Sequence, residues 1–348
     1  MTTSPDALLA RTRELADTLL APDAARVDQA EVPARHLDAI RRAGVLGVSA
    51  PEAYGGADAS DAVAREIQEI LAGACGSTWF VQTQHHTPVR MLAKSRLPVR
   101  ERLLRPLASG ELLAGIAYAH VRAFPRVPVR ATADGDGWRF DGTVPWYTGW
   151  GLNDVMLLAG VTDSAEIVFA FADAREQHGV RASEPMRLAA FTAARTVSLE
   201  LDGLWLPETS VVLRTPQEKF ALLDIPRSTN TSPAVFGVTY AALRVLETSG
   251  EAETAGALRA RVEEVRRAAY GLADHPVAHE HVEERLALRT RAYDLMRAAT
   301  TAAVVSGGGR TMDLRNPAQR LAREGMFLLI QGQTSVVRKA HLDALAQG

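Results

Sequence analysis

Residues 138–151 read Trp-Arg-Phe-Asp-Gly-Thr-Val-Pro-Trp-Tyr-Thr-Gly-Trp-Gly, the most strand-like and most aromatic stretch of a chain whose remainder has mostly helical periodicity. Trp138 and Phe140 alternate with charged residues, which is the pattern of a half-buried strand. Asp141-Gly142 is a turn dipeptide that predicts a tight reversal between strands. The stretch therefore predicts a hairpin within a β domain.

The second half of this stretch places aromatic side chains beside glycines. Trp146, Tyr147 and Trp150 flank Thr148 and Gly149. Glycines allow the backbone to come close to a flat ligand, and the hydroxyl of Thr148 is a hydrogen-bonding group in their midst. The simpler interpretation is a hairpin packed on a core, and this stretch alone favours that interpretation.

Apolar alternation extends on both sides of this stretch, over about 115–213. Helical periodicity precedes and follows this alternating region. We expect a mainly α protein with a central β domain: a helical N-terminal domain, a middle antiparallel β-barrel or sandwich, and a C-terminal four-helix bundle. The predicted domains are 1–113, 114–216 and 217–348. The predicted bundle helices run over about 232–249, 253–273, 277–306 and 317–346.

Bulk composition excludes several classes of protein. The chain has 348 residues, 39 basic and 41 acidic, with a net charge of -2, so its bulk charge favours neither a nucleic-acid partner nor an anionic membrane. Cys75 is the only cysteine, which excludes an internal disulfide and a cysteine zinc site. We find neither a secretory signal nor an apolar run long enough to span a bilayer, and we expect a cytoplasmic protein.

Two features of the C-terminal part have both a structural and a binding interpretation. Gly307-Gly308-Gly309-Arg310 is a helix C-cap and turn, or a run of backbone amides that can approach a phosphate or an adenine edge. It is not a P-loop, because neither Lys-Ser nor Lys-Thr follows. Arg320 and Arg323-Glu324 predict a solvated ion-pair face, or bidentate contacts beside a cofactor or a second subunit.

The histidines carry weak signals. His85 and His86 are adjacent, so on a helix at most one of them lines a pocket, and buried or surface packing is the default interpretation. His275 and His279 have i, i+4 spacing, with His281 and Glu283 close behind, but Pro276 places His275 at a cap outside the helix face. We therefore expect no metal site.

Several short motifs together resemble the acyl-CoA dehydrogenase superfamily, over nearly the whole chain. They are Pro51-Glu52-Ala53-Tyr54-Gly55-Gly56, Cys75-Gly76-Ser77-Thr78-Trp79, Gly142-Thr143-Val144-Pro145-Trp146-Tyr147-Thr148-Gly149, and the series of Gly307 to Gly309, Arg320, Arg323-Glu324 and Gly332. The order of helical, β and helical domains is also that of this superfamily.

The resemblance implies FAD in the cleft between the β domain and the bundle. Trp146 would pack against the isoalloxazine and Thr148 would hydrogen-bond near its N5. The glycines from Gly307 to Gly309 would lie near the adenine or pyrophosphate, with Arg310 and Arg320 as further cofactor-binding residues. The implied partners are a small-molecule or acyl-thioester substrate and further copies of the chain, as a homodimer or homotetramer.

The sequence departs from the superfamily pattern at three places. Gln331 stands at a position commonly held by the catalytic glutamate, and a glutamine cannot accept a proton at neutral pH. The loop 119–125, Ala-His-Val-Arg-Ala-Phe-Pro, replaces the run that supplies a hydroxyl to the flavin. The stretch 248–251, Thr-Ser-Gly-Glu, lacks the Arg-x-x-Phe-Gly motif that reaches FAD across a subunit interface.

Three functions fit this pattern. The first is a flavin oxidoreductase acting on an acyl thioester or related biosynthetic intermediate, with Asp224, His120 or His86 as a relocated base. The second is a flavin-dependent monooxygenase of the same superfamily, with His85, His86 or His120 beside the flavin. The third is a descendant without flavin that has a binding or redox-neutral role.

Overall fold

The computed structural model describes residues 4–277 and 279–347, and their elements follow the predicted order of helical, β and helical regions. The first helices are α1 Pro5–Leu15, α2 Ala21–Asp28, α3 Ala34–Ala43, α4 Asp61–Ala74, α5 Gly76–Lys94 and α6 Val99–Ser109. The strands are β1 Ala114–Ala117, β2 Val129–Asp134, β3 Gly137–Tyr147, β4 Val155–Val161, β5 Glu166–Asp173, β6 Val180–Ala182, β7 Val197–Pro207 and β8 Val211–Pro216. The last helices are α7 Gln217–Thr229, α8 Pro233–Thr248, α9 Ala252–Ala273, α10 Val282–Gly307, α11 Pro317–Leu328 and α12 Ser335–Gln347.

The central β domain is one mixed sheet. Its strand order is β6-β7-β3-β2-β4-β5-β8, and β1 pairs with β4 outside this path. Most pairs are antiparallel, as expected, but β4 is parallel to both β1 and β2. The sheet is mixed because β4 runs parallel to β1 and β2 but antiparallel to β5, an arrangement that the alternation pattern alone does not reveal.

The predicted hairpin at Asp141-Gly142 is wrong. Strand β3 continues through both residues, and the reversal lies earlier, at Gly135-Asp136 between β2 and β3. Gly142 has φ 127° at a register shift, and a Cβ atom there would lie 2.1 Å from the carbonyl oxygen of Pro128. The dipeptide therefore makes a β-bulge, because a bulge needs the same conformational freedom as a turn.

The sheet is buried on both faces. Along β4, Val155, Leu157 and Ala159 belong to a core shared with α5 and α6, whereas Met156 and Leu158 belong to the core on the opposite face. A third core joins the N-terminal helices to the bundle. The β domain is thus held between helices on one side and its own flanking strands on the other.

The bundle helices differ from prediction near the end of the chain. The predicted helix 277–306 begins at Val282, and residue 278 lies outside the described residues. The predicted helix 317–346 is two helices, because residues 329–334 form a turn in which Gly332 has φ 64°. The N-terminal helices pack closely on the bundle where Gly73 of α4 meets Gly237 of α8, since a Cβ at Gly73 would lie 2.6 Å from the carbonyl oxygen of Gly237.

Candidate functional site

An aromatic wall lies where the β domain meets the bundle. Trp146 near the end of β3 is 44% exposed, and its ring centre is 6.3 Å from that of Phe327 on α11. Phe327 in turn contacts Phe80 and Phe191, with ring centres 5.2 and 4.9 Å away. We define Trp146 and Phe327 as the aromatic wall. It is backed by buried rings, its two ring planes are tilted by 57°, and the ring of Trp146 is partly exposed.

Thr148, two residues after Trp146 in the chain, belongs to a buried hydroxyl pair. Its Oγ1 is 3.1 Å from Oγ1 of Thr196, and the amide of Asn153 donates to the carbonyl oxygen of Thr148 at 2.9 Å. Two hydroxyl groups carry two hydrogens and share one hydrogen bond. When Thr196 donates to Thr148, the hydroxyl hydrogen of Thr148 is left for an acceptor on a ligand.

The glycine run ends α10 in an open turn. Gly308 has φ 57° and ψ -146°, a conformation that favours glycine, and Thr311 donates its hydroxyl hydrogen to the carbonyl oxygen of Gly308 at 2.7 Å. A Cβ atom at Gly308 or Gly309 would meet nothing within 4 Å. Arg310 beside them is exposed. The structural interpretation as a helix end is confirmed, because the amide of Gly308 donates to the carbonyl oxygen of Val305.

Arg320 and Glu324 face the interior. The Nη1 group of Arg320 donates to Oε1 of Glu324 at 2.8 Å, and the two side chains are 7% and 1% exposed. A Cβ at Gly76, the first residue of α5, would lie 2.6 Å from the carboxyl carbon of Glu324. Arg323 joins Asp28 of α2. The predicted solvated face is therefore wrong, because these charges tie α11 to the N-terminal domain.

Asp224 is held by an arginine from the divergent loop. Nε and Nη2 of Arg122 donate to the two carboxylate oxygens of Asp224 at 2.6 and 2.7 Å. The carboxylate holds the pKa of the Arg122 guanidinium above its usual value, against the opposing effect of burial. Both oxygens of Asp224 already accept hydrogen bonds, so the group binds a substrate proton only if Arg122 moves away.

Both histidines of α5 are buried and neutral. His85 donates from Nε2 to the carbonyl oxygen of Leu107 at 3.1 Å and accepts from the amide of Ala114 at Nδ1 at 3.0 Å. Burial lowers the pKa of His85 to about 4. Burial also lowers the pKa of His86, whose Nε2 lies 2.8 Å from Oε1 of Gln82. His85 thus has both ring nitrogens engaged in packing contacts.

His120, like His86 and unlike His85, has one ring nitrogen that is buried without a hydrogen-bond partner in the described part of the chain. Its Nε2 donates to the carbonyl oxygen of Ala159 at 2.9 Å, whereas Nδ1 is buried without a hydrogen-bond partner among the described residues. Burial lowers the pKa of His120 to about 4, so the ring is neutral at neutral pH. The Nε2 contact fixes the tautomer and leaves a lone pair on Nδ1 as an acceptor.

Gln331 lies in the turn after α11 and is half-buried. Its backbone N–H donates to the carbonyl oxygen of Phe327 at 3.2 Å. It therefore follows directly on the helix that carries half of the aromatic wall. The catalytic roles of His86, His120, Asp224 and Gln331 stay predictions.

The structure groups different potential metal ligands from those that the spacing suggested. Ligand atoms of His275, Glu280 and His281 lie within 4.8 Å of one another, whereas His279 is outside this group. Glu280 and His281 are exposed, and Nδ1 of His281 is also 3.5 Å from Glu284. This contact pairs the imidazole with a carboxylate, and the expectation of no metal stays a prediction.

Sequence reasoning missed the partners of the predicted residues. Phe327, Thr196 and Arg122 are far in sequence from Trp146, Thr148 and Asp224. Of these three partners, only Arg122 could have been suspected from the sequence, because it lies in the loop that departs from the superfamily pattern. The other two are ordinary residues of a helix and of the approach to a strand.

Comparison with known proteins agrees with the fold. The family described as acyl-CoA dehydrogenase, N-terminal domain, matches residues 2–111. A probable acyl-CoA dehydrogenase of Mycobacterium leprae is 27% identical over 248 residues, covering 68% of this chain and 63% of the relative. A 3-sulfinopropanoyl-CoA desulfinase of Variovorax paradoxus is 30% identical over 156 residues, covering 43% of this chain and 39% of the relative. The matches thus span less than two thirds of these relatives.

Solved structures share the fold over almost the full chain. Butyryl-CoA dehydrogenase of Megasphaera elsdenii aligns with a TM-score of 0.83 at 17% identity, covering 98% of each chain. A glutaryl-CoA dehydrogenase of Mycobacterium smegmatis in complex with FADH2 aligns at 0.77 with 19% identity, covering 99% of this chain and 95% of the other. Dibenzothiophene monooxygenase of Paenibacillus aligns at 0.78 with 17% identity, covering 95% of each. At these identities the likeness concerns the fold.

Proposed function

Since this chain belongs to the acyl-CoA dehydrogenase superfamily, we propose that it is a flavin-dependent oxidoreductase acting on an acyl thioester or a related biosynthetic intermediate. The observation that carries the proposal is the aromatic wall of Trp146 and Phe327, followed two residues after Trp146 by the hydroxyl pair of Thr148 and Thr196. The desulfinase and the monooxygenase among the similar proteins show that the fold hosts several reactions. The choice of reaction for this chain therefore has to come from its site residues.

The residues at the wall fit FAD. Trp146 and Phe327 would cover a face of the isoalloxazine, and Thr148 would donate its remaining hydroxyl hydrogen to a ring nitrogen. The exposed Arg310, beside the open space at Gly308 and Gly309, suits the phosphates or the adenine. Bound FAD would supply the acceptor for a hydride from the substrate.

Proton transfer has to use a group other than glutamate at the usual position, because Gln331 is an amide. We propose Asp224 as the base. It is a carboxylate on α7, close to the position that some superfamily members use, and it accepts two hydrogen bonds from Arg122. A substrate carbonyl or carboxylate that draws Arg122 away would free Asp224 to accept a proton.

The partner and the compartment are also proposals. Large apolar side chains of α11 and α12 and the turn between them are exposed, namely Met326, Ile330, Val336, Leu342 and Leu345. An exposed apolar surface of this kind supports assembly with further copies of the chain, as a homodimer or homotetramer.

Among the described residues, none of the helices has the length and apolarity needed to cross a bilayer. Cys75 is a buried free thiol, which suits a reducing cytoplasm.

An absorption spectrum of the purified protein, before and after addition of FAD, tests the proposal. We expect a bound flavin spectrum that the correct acyl thioester bleaches in the absence of oxygen. Trp146→Ala should release most of the flavin. Trp205→Ala is the matched control, because Trp205 is 45% exposed on β7 and is absent from the wall. Protein that takes up no FAD, or equal loss in both variants, would contradict the proposal and favour the descendant without flavin.

A monooxygenase is the second candidate, and the unused Nδ1 of His120 favours it. A neutral imidazole with a free lone pair can accept a hydrogen bond from a reacting group without any α-proton base. This candidate predicts that the reduced enzyme couples oxygen uptake to an oxygenated product. His120→Asn should uncouple the two, whereas Asp224→Asn should leave the coupling ratio unchanged. Oxygen uptake without oxygenated product in the wild-type protein would exclude it.

A further inference from the structure

The segment that joins α9 to α10 brings two histidines and a glutamate together. One ligand atom each of His275, Glu280 and His281 lie within 4.8 Å of one another. The imidazole rings of His275 and His281 are nearly perpendicular, and their centres are 4.7 Å apart. The i, i+4 spacing in the sequence pointed to His275 and His279, whereas the structure pairs His275 with His281. The group is therefore a product of the fold of this segment.

Backbone hydrogen bonds fix two of these three residues to the start of α10. His281 precedes the helix with φ 59°, a left-handed conformation that is uncommon for a residue with a Cβ atom. Its carbonyl oxygen accepts a hydrogen bond from the backbone N–H of Arg285 at 2.9 Å. Nε of Arg285 donates to the carbonyl oxygen of Glu280 at 2.8 Å. The first turns of α10 thus hold Glu280 and His281 in a defined backbone arrangement.

Each of the two imidazole rings has an oxygen close to its Nδ1 atom. Nδ1 of His275 lies 3.3 Å from the carbonyl oxygen of Val277, and the backbone N–H of Val277 is equally close. Nδ1 of His281 lies 3.5 Å from Oε2 of Glu284. An imidazole that directs a hydrogen on Nδ1 towards an oxygen keeps its lone pair on Nε2, as metal-binding histidines commonly do. In that tautomer Nε2 of each ring is left for a metal ion.

We propose that His275, Glu280 and His281 bind a divalent transition-metal ion such as Zn²⁺, and this proposal replaces the sequence expectation of no metal. Two imidazoles and a carboxylate suit Zn²⁺, whereas Mg²⁺ and Ca²⁺ prefer oxygen ligands. Tetrahedral Zn²⁺ holds its ligand atoms about 3.4 Å apart, so the three atoms have to close from at most 4.8 Å. Glu280 and His281 are exposed and His275 is half-buried, so rotation of their side chains achieves this. Water takes the fourth position.

The charge around this group favours a cation. Glu283 and Glu284 lie in the first turn of α10, directly after the histidine at its start. Together with Glu280 they outnumber Arg285, whose guanidinium donates to Asn230. The last carbonyl groups of α9 add partial negative charge on the other side of the segment. A bound metal ion therefore joins the end of α9 to the start of α10 and stabilises the bundle, at a site separate from the proposed flavin reaction.

Titration of the full chain with Zn²⁺, after removal of bound metal by EDTA and dialysis, tests this proposal. We expect calorimetry to show about one tightly bound Zn²⁺ per chain, and Zn²⁺ but not Mg²⁺ to raise the Tm in a saturable way. His281→Asn should abolish both effects, and asparagine tolerates the left-handed backbone at this position. His279→Gln is the matched control, because it removes a histidine of the same segment that is outside the group.

Glu280→Gln gives a second variant, which keeps the size of an exposed side chain and removes its charge. It should lower the Zn²⁺ affinity at least about tenfold while the circular dichroism spectrum stays that of the wild type. Absence of bound Zn²⁺ in the wild-type protein, or unchanged affinity in folded Glu280→Gln and His281→Asn, would overturn the proposal. An equal loss of affinity in His279→Gln would do the same, because it would identify scattered binding to surface histidines.

Discussion

Arg122 and Asp224 form a bidentate ion pair between the loop after β1 and the helix α7, with both nitrogen–oxygen distances below the usual 2.9 Å of a neutral hydrogen bond. The loop departs from the superfamily pattern and contributes a cation where a hydroxyl-bearing run is usual, and α7 contributes the carboxylate. The two side chains thus compensate each other's charge.

Arg122→Gln should lower the free energy of unfolding by about 2 kcal/mol, because it leaves the carboxylate of Asp224 buried without a charged donor. Urea unfolding at neutral pH measures this change. Arg126→Gln is the control, since Arg126 lies in the same loop and is exposed. Equal stability of the two variants would show that the pair contributes nothing to folding.

The buried pair of Arg320 and Glu324 should show strong non-additivity. Arg320→Met or Glu324→Leu alone leaves one buried charge without its partner and should cost about 3–5 kcal/mol. The double variant replaces the pair by apolar side chains and should recover most of that loss. A double-mutant cycle from chemical unfolding measures the coupling, and additive losses would contradict a buried pair.

Stability should fall on acidification because of the buried histidines. The pKa of His85 is about 4 in the folded chain and near 6.5 when unfolded. The unfolded state therefore binds the proton first, and the stability contributed by neutral His85 is present above pH 6.5 and lost as the pH falls towards 4. Between pH 7 and pH 5 we expect this histidine to account for about 2 kcal/mol.

Urea unfolding across this range, compared between the wild type and two variants, measures the effect. His85→Gln should have a flatter pH dependence, whatever its absolute stability, because its side chain does not titrate. His178→Gln removes an exposed histidine and should follow the wild-type curve. Parallel curves for all three proteins would mean that His85 titrates normally in the folded chain.

Gly142→Ala should be more damaging than Gly135→Ala. Both glycines have positive φ, so both substitutions introduce backbone strain of about 1 kcal/mol. Only at Gly142 would the new Cβ also lie 2.1 Å from the carbonyl oxygen of Pro128, whereas Gly135 has nothing within 4 Å. We expect a loss of roughly 3 kcal/mol or more at Gly142. Thermal or urea unfolding compares the two, and similar losses would argue against the bulge.

The predicted order of domains is confirmed because it depends on periodicity, which is a local property of the chain. Alternating apolar residues in β3 and β7, and helical stripes in α8 and α9, are visible without any knowledge of their partners. Asp141-Gly142 was misjudged for the same reason. A dipeptide that permits positive φ is compatible with a turn and with a bulge, and the pairing of β3 with β7 decides between them.

The sequence by itself determined the fold class and predicted Trp146 and Thr148 as site residues, because an aromatic cluster beside glycines is a local feature. Only the tertiary structure decided what those residues face. It placed Phe327 across from Trp146, turned Arg320 inward to Glu324, and gave Asp224 its guanidinium partner. Arg285 and Arg289 are also buried, because α10 packs on Asn230, to which both donate hydrogen bonds. Burial and ion pairing are properties of chain segments far apart in sequence, and packing alone brings them together.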